Sequence, residues 1–327
     1  MRKAVIGGTG ITPFGKFLES GVRPLAERAV GDSLKDAAVG IEDVEMVFFG
    51  NAAGGLLTGQ ECVRGQVALR HSGLLGKPIV NVENACASSS TAFQLARMAV
   101  ASGAAEIVLA IGAEKMSNDD RSKPIKALES AADLDELAEL QRHIAPDGAG
   151  TGSVFMDLYA SVARDYMEKC GAMAEDFARV SVKQRHAGAL NPIAQFRADV
   201  DLEEVLTSRM IADPITLMMC SSIGDGAAAL VVMSAEAAAK RDIRPVEILA
   251  CEIRSGQGDD PEAPPVATAA SRAAFESAGL GPEDLNVVEL HDAAAPAEYI
   301  LSEQLGLCRP GDAISLLRSG RTALGGD

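Results

Sequence analysis

The chain has 327 residues, of which 47% are hydrophobic, enough for a large core or two fused units. Its formal net charge of −16 argues against a nucleic-acid surface, so an anionic ligand has to find a local basic patch. No apolar run reaches the ~18 residues of a membrane span, and Met1-Arg-Lys-Ala-Val-Ile-Gly7 lacks the long apolar region and small-residue cleavage site of a signal peptide. A cytoplasmic protein without membrane insertion is expected.

In chain order, Lys3 to Gly7 reads as a strand, Pro24 to Ala38 as a helix, Val44 to Gly50 as a strand and Glu61 to Leu69 as a helix. Ile79 to Glu83 is the next strand, Ala87 to Ala101 the next helix and Glu106 to Gly112 another strand. Short β-branched runs alternating with helices indicate βαβ units and a mainly parallel sheet. From Met116 to Met219 the texture changes to charged helices and the loop Ala145-Pro-Asp-Gly-Ala-Gly-Thr-Gly152, so 116–219 reads as an insertion between two sheet strands.

Asp225 to Met233 returns to the sheet pattern, with Asp225-Gly226 expected as a tight turn before a central strand. The alternation then restarts: Val246 to Arg254 strand, Ala267 to Ala278 helix, Val287 to Leu290 strand, Ala294 to Leu305 helix. The expected architecture is two pseudo-equivalent α/β halves, 1–115 with 220–235 and then 236–327. The second half is short, because no further strand–helix pair follows before Asp327.

The junction at Asn81-Val-Glu-Asn-Ala-Cys-Ala-Ser-Ser-Ser-Thr-Ala92 carries the sharpest chemical signal. A buried-type strand runs into an Ala- and Leu-rich helix with Ala92, Leu95, Ala96 and Ala99 at helical spacing, which places Cys86 at a helix N-terminus. There the exposed N–H groups and the helix dipole favour an anion, and a thiol pKa near ~8.5 falls toward the thiolate. The small neighbours leave room for a substrate carbonyl, as an acyl-accepting nucleophile requires. The plainer reading is a cysteine used as a small hydrophobe. The six cysteines (62, 86, 170, 220, 251 and 308) include no CxxC or Cys/His cluster, so neither a metal site nor a disulfide framework is expected. The Gly8-Thr-Gly10 pair is not a dinucleotide fingerprint, because Pro13 stands at the third glycine position.

Taken together, six segments resemble the thiolase family, in particular the sterol-carrier-protein-type and bacterial or archaeal acetyl-CoA acetyltransferase-like branch. They are Ile6-Gly-Gly-Thr-Gly-Ile-Thr-Pro-Phe-Gly15, Gly59-Gln60, the segment around Cys86, Gly112-Ala-Glu-Lys-Met-Ser117, Ser222-Ile-Gly-Asp-Gly-Ala-Ala-Ala-Leu230 and Val288-Glu-Leu-His-Asp292. Their order and spacing cover almost the whole chain.

The resemblance implies a five-layered α/β/α/β/α fold and a 3-oxoacyl-CoA thiolase-type acyltransferase, with coenzyme A thioesters as substrates and no permanently bound cofactor. Cys86 would take the acyl group and pass it to CoA thiol or to an acyl-CoA carbanion. His291 would hold a water or donate to the second oxyanion, with Asp292 orienting its ring; otherwise it is a histidine at a strand end. Met156 would touch the acyl chain, unless it is core filler. Arg121, Lys123, Lys126 and Arg142 would meet CoA phosphates in the insertion, unless they belong to a solvated face. A homodimer or tetramer built through the sheet edge near the nucleophile helix is implied.

The chain departs from the family pattern at its end. The Gly-His-Pro histidine that activates the nucleophile and the second, proton-moving cysteine would follow Leu324-Gly-Gly-Asp327. His71, His143 and His186 stand in no matching motif, and Cys308 lacks the Gly-rich setting of the second cysteine. A positioned acid or base contributes ~10²–10⁴-fold, so a chain without both is a slow acyl acceptor. A truncated second half, or a short form completed by a partner chain, is expected. The alternative function is a non-catalytic or partner-dependent subunit binding acyl-CoA or lipid, including an aromatic succinyl-CoA thiolase subunit working with a small zinc- and OB-fold companion. Ketoacyl synthases share the fold and the cysteine, but Gly112-Ala-Glu-Lys-Met-Ser117 fits thiolases better.

Overall fold

The computed structural model describes residues 2–144, 150–151, 153–258, 260 and 262–326. Most of the expected 145–152 loop lies outside the described residues. The strands in chain order are β1 (Ala4–Ile11), β2 (Met46–Gly50), β3 (Ile79–Val82), β4 (Ile107–Lys115), β5 (Met210–Ala212), β6 (Ile215–Thr216), β7 (Asp225–Ser234) and β8 (Val246–Glu247). The chain divides into two compact units, one of Met1–Ala131 with Ile223–Ile253 and one of Ala132–Ser222 with Arg254–Asp327.

The first unit is built on a six-stranded sheet in the order β3-β2-β4-β7-β1-β8. The sheet is mixed rather than mainly parallel. β2 runs parallel to β3 and β4, whereas β7 is antiparallel to both β4 and β1, and β8 is antiparallel to β1. The βαβ logic holds only while short crossovers join the strands. β7 re-enters after the long excursion from Met116 to Gly224 and runs antiparallel to both its neighbours.

The helix Val22–Asp36 covers one face, sealing Leu25, Ala29, Val30 and Leu34 against Val47, Leu109, Ile111, Val231 and Met233. The helix Ser88–Ser102 covers the other, where Ala92, Ala96 and Val100 pack on Phe48, Val108, Ala110 and Val232. Small side chains every four residues let this helix lie close to the strands.

Asp225 forms no turn. It is the first residue of β7, fully buried, and its carboxylate accepts from the Lys115 ammonium at 3.0 Å, the Ser117 N–H at 2.7 Å and the Phe17 N–H at 2.8 Å. Burial works to raise its pKa, but the hydrogen bonds from Ser117, Phe17 and Lys115 hold it below the usual carboxylate range.

The second unit packs helices Val154–Cys170, Ala174–Leu190, Pro296–Gln304 and Ala313–Arg318 around Tyr299, with the β5–β6 pair beside them. The Tyr299 ring stands edge-on to Phe177 at 5.7 Å, and its hydroxyl donates to the Asp176 carbonyl at 2.9 Å. The Arg318 guanidinium clamps the Asp176 carboxylate at 2.6 and 2.8 Å.

Three expected elements need correction. The Glu61–Leu69 helix shrinks to Arg64–Ala68, with a separate short helix at Gly54–Thr58. Only Val246–Glu247 of the Val246–Arg254 strand forms a ladder, and Val287–Leu290 forms none. Val287 is 78% exposed. β-Branched residues make a strand only where a neighbour supplies ladder bonds and a packing face, and no described strand does so here.

Candidate functional site

Cys86 lies in the first unit and is exposed, within a 3-10 turn, Ala85–Ala87, that leads directly into the helix Ser88–Ser102. β3 delivers the chain to this turn at the edge of the sheet. Ala85 adopts the left-handed conformation, φ +45°, which an alanine adopts only when its surroundings impose it.

Four side chains impose it. The Glu83 carboxylate accepts the Ala85 N–H at 2.7 Å. The Ser88 hydroxyl accepts the Asn84 N–H at 2.9 Å and donates to the Ala85 carbonyl at 2.7 Å. The Asn84 amide donates to the Thr91 hydroxyl at 2.9 Å, which donates in turn to the Ala87 carbonyl at 2.9 Å.

Two glycines, the last residue of β2 and its ladder partner within β4, seat the helix. A Cβ on Gly50 would fall 2.9 Å from the Ser88 carbonyl and Ser89 Cα, and one on Gly112 would fall 2.6 Å from the Ser89 Cβ. The helix N-terminus therefore rests directly on the C-terminal end of β2 and on the C-terminal half of β4. Ligands of open α/β sheets bind at that end of the strands.

In front of Cys86 the first unit contains a cavity of about 650 Å³. Phe14, Phe93, Met116, Leu128 and Leu230 supply apolar wall, and Glu83 and Glu114 supply carboxylates. Burial raises the pKa of Glu114, opposed by the N–H groups of Ala52 and Ala53 that it accepts and by Arg64. Asn51 bridges this group: its amide donates to Glu114 at 3.1 Å while its oxygen accepts from Arg64 at 3.0 Å.

His291 belongs to the second unit and is exposed. Its segment is pinned by short-range pairing to the chain around Cys220: Cys220 bridges Ala294, the Ser221 N–H donates to the Ala293 carbonyl at 3.0 Å, and the Ser221 hydroxyl donates to the Asp292 carbonyl at 2.9 Å. Asp292 lines a cavity of about 450 Å³ with Cys220, Ser221, Arg185 and Phe196. Burial raises its pKa, with Glu298 adding to the rise and His291 and Lys183 opposing it. Burial also pushes the Cys220 thiol up to about 11, so this sulfur stays protonated.

Met156, on the helix Val154–Cys170, receives the Cys220 thiol at 3.7 Å. Met156, Cys220 and the His291–Ala294 segment thus form one cluster. Arg121 and Lys123 are exposed at the start of the helix Ser122–Glu129, beside Asp120, whose carboxylate accepts from Ser122. Arg142 is exposed in the second unit and folds its Nε back on the Ala138 carbonyl.

Sequence reasoning missed Glu83, Glu114 and Ser221. Glu83 gains its meaning only from the conformation of Ala85, and Glu114 and Ser221 only from tertiary neighbours.

The model of the thiolase N-terminal domain matches residues 4–236, and that of the thiolase C-terminal domain-like family matches residues 255–327. Among curated proteins the chain is 34% identical to "Benzoylsuccinyl-CoA thiolase subunit BbsB" of Thauera aromatica, over 99% of this chain and 81% of that protein. It is 35% identical to "Acetyl-CoA acetyltransferase" of Methanocaldococcus jannaschii, over 99% and 81%. It is 33% identical to "Sterol carrier protein 2" of Bos taurus, over 99% of this chain and 60% of the relative. Among solved structures, the "Ltp2-ChsH2(DUF35) aldolase" superposes with a TM-score of 0.78 at 27% identity, covering 99% of this chain and 82% of that one.

Proposed function

The chain belongs to the thiolase family and is a CoA-dependent acyltransferase of thiolase type, and we propose that Cys86 is the residue that carries the acyl group. The observation that carries this reading is the strained turn. Four side chains hold Ala85 in a left-handed conformation, and the result is a cysteine at a helix N-terminus facing a cavity.

The thiolate of Cys86 attacks the thioester carbonyl of an acyl-CoA. The C–S bond to CoA breaks, CoA leaves as a thiolate that takes up one proton, and an acyl-Cys86 thioester remains. The helix N-terminus favours both the attacking thiolate and the developing oxyanion. The acyl group then passes to CoA thiol in the degradative direction, or to the carbanion of a second acyl-CoA in condensation. His291, on the segment that Ser221 pins through the Asp292 carbonyl, holds a water or donates directly to the oxyanion of that second substrate, and Asp292 orients its ring. Arg121, Lys123 and Arg142 are assigned to CoA phosphates, which their exposure supports, and Met156 to the acyl chain.

A homodimer formed on the edge strand β3 fits the exposed Val80 on that edge, next to the nucleophile turn. A companion subunit is the second reading. One relative is named as a subunit of benzoylsuccinyl-CoA thiolase, and the structural neighbour carries two components in its name.

Intact mass after incubation with a panel of acyl-CoA thioesters tests the nucleophile. An acyl-sized increment that Cys86→Ala abolishes is the expected result. An increment that survives in Cys86→Ala, or none with any thioester in the presence or absence of a companion, overturns it.

A further inference from the structure

β4 and β7 form the middle of the sheet and are buried nearly end to end. The exceptions are consecutive same-face positions: Gly112 and Glu114 on β4, and Ala228 and Leu230 on β7. Their partial exposure marks a stretch of central sheet that the first unit covers only in part, with Ser89 seated over Gly112 and Leu230 packed beside Phe93. The cavity of about 650 Å³ stands over it, with Cys86 at one side. An acetyl group has three heavy atoms and fills roughly 90 Å³ at about 30 Å³ per heavy atom. Acetyl would therefore leave most of this space empty.

The lining is also selective in charge. It includes Glu83 and Glu114 but no lysine, arginine or histidine, and Phe14, Phe93, Met116 and Leu230 make it predominantly apolar. A carboxylate on the acyl group would meet like charge and no counter-ion.

We propose that this cavity is the acyl-binding site of the Cys86 thioester and selects uncharged, apolar acyl groups of roughly eight or more heavy atoms, aromatic or aliphatic, over acetyl and over ω-carboxyacyl groups. The proposal rests on Cys86 as the acyl acceptor. Phe93 on the helix Ser88–Ser102 and Ala228 on β7 are its specificity-determining positions. A pocket discriminates by about 10-fold or more for each methylene it is shaped to bury, so the selectivity is measurable.

The test compares acylation rates, by intact mass, for acetyl-, octanoyl-, benzoyl- and succinyl-CoA, in the full chain and in Ala228→Leu. Octanoyl and benzoyl are expected to exceed acetyl and succinyl by at least ~10-fold, and the octanoyl-to-acetyl ratio is expected to fall at least ~5-fold in Ala228→Leu. Equal rates for acetyl and octanoyl, succinyl transfer at the octanoyl rate, or a ratio untouched by Ala228→Leu each overturn the proposal.

Equilibrium dialysis of the same thioesters against Cys86→Ala, with and without Ala228→Leu, separates the two readings. An apolar preference there that Ala228→Leu removes supports the cavity even if no thioester acylates the chain, in which case only the nucleophile is wrong. No preference in dialysis and none in acylation removes the cavity assignment while leaving any acetyl-Cys86 adduct intact.

Discussion

The backbone N–H of Ala85 donates to the carboxylate of Glu83 across 2.7 Å, closing the left-handed turn that presents Cys86. The bond joins a residue just after β3 to one held in the left-handed region. A charged acceptor makes it stronger than a neutral amide bond. The arrangement converts a strand end into a nucleophile platform before the helix begins.

Glu83→Ala should slow acylation of Cys86 by about 10-fold, equivalent to about 1.4 kcal/mol of barrier. Glu83→Gln keeps an oxygen acceptor in place and should stay within about 3-fold of the parent. The check is an intact-mass time course with one tolerated acyl-CoA. Equal losses in both variants would mean that the charge of Glu83, not its hydrogen bond, is what the turn uses.

Ala85→Gly should stabilise the chain. A left-handed L-residue costs about 1–2 kcal/mol, and glycine removes that cost while adding unfolded-state entropy, leaving a net gain of about 0.5–1 kcal/mol. A raised urea midpoint at unchanged slope is the expected result. A lowered midpoint would show that φ at this position carries no strain.

Gly50→Ala should do the opposite. Its Cβ would fall 2.9 Å from backbone atoms of Ser88 and Ser89, so the helix start rather than a flexible side chain must move. Overpacking of this kind costs about 1–3 kcal/mol. Because the displaced element is the one after Cys86, acylation should slow as well as the melting temperature fall. A drop in stability with an unchanged acylation rate would separate the seat of the helix from the placement of the thiol.

The placement of Cys86 was legible because it depends on local signals: a β-branched strand, a run of small residues and a helix-forming sequence. The left-handed conformation of Ala85 was not, since it arises from hydrogen bonds to side chains up to seven residues apart and from the glycine seat beneath the helix. The direction of β7 was hidden for a different reason. Its apolar run fits either direction, a connection of that length is compatible with both, and the direction is set by the tertiary pairing with β4 and β1. Val287–Leu290 has the composition of a strand, but strand formation needs a ladder partner that composition does not contain. Asp225-Gly226 carries the turn signal of its dipeptide, and the buried Lys115 across the β4–β7 ladder overrides it.

That ion pair makes acid stability testable at one residue. The folded pKa of Asp225 lies below its unfolded value of about 3.9, because the hydrogen bonds of Ser117, Phe17 and Lys115 outweigh burial. Its contribution is therefore fully present above pH ~4 and lost as pH falls through the folded value. Asp225→Asn leaves the Lys115 ammonium buried without its counter-charge, a loss of about 3–5 kcal/mol at neutral pH. Urea titrations of parent and variant at pH 7, 5 and 3 should show the gap constant between the first two and narrowed at the third. A gap that stays constant down to pH 3 would locate the loss in packing around the side chain rather than in its charge.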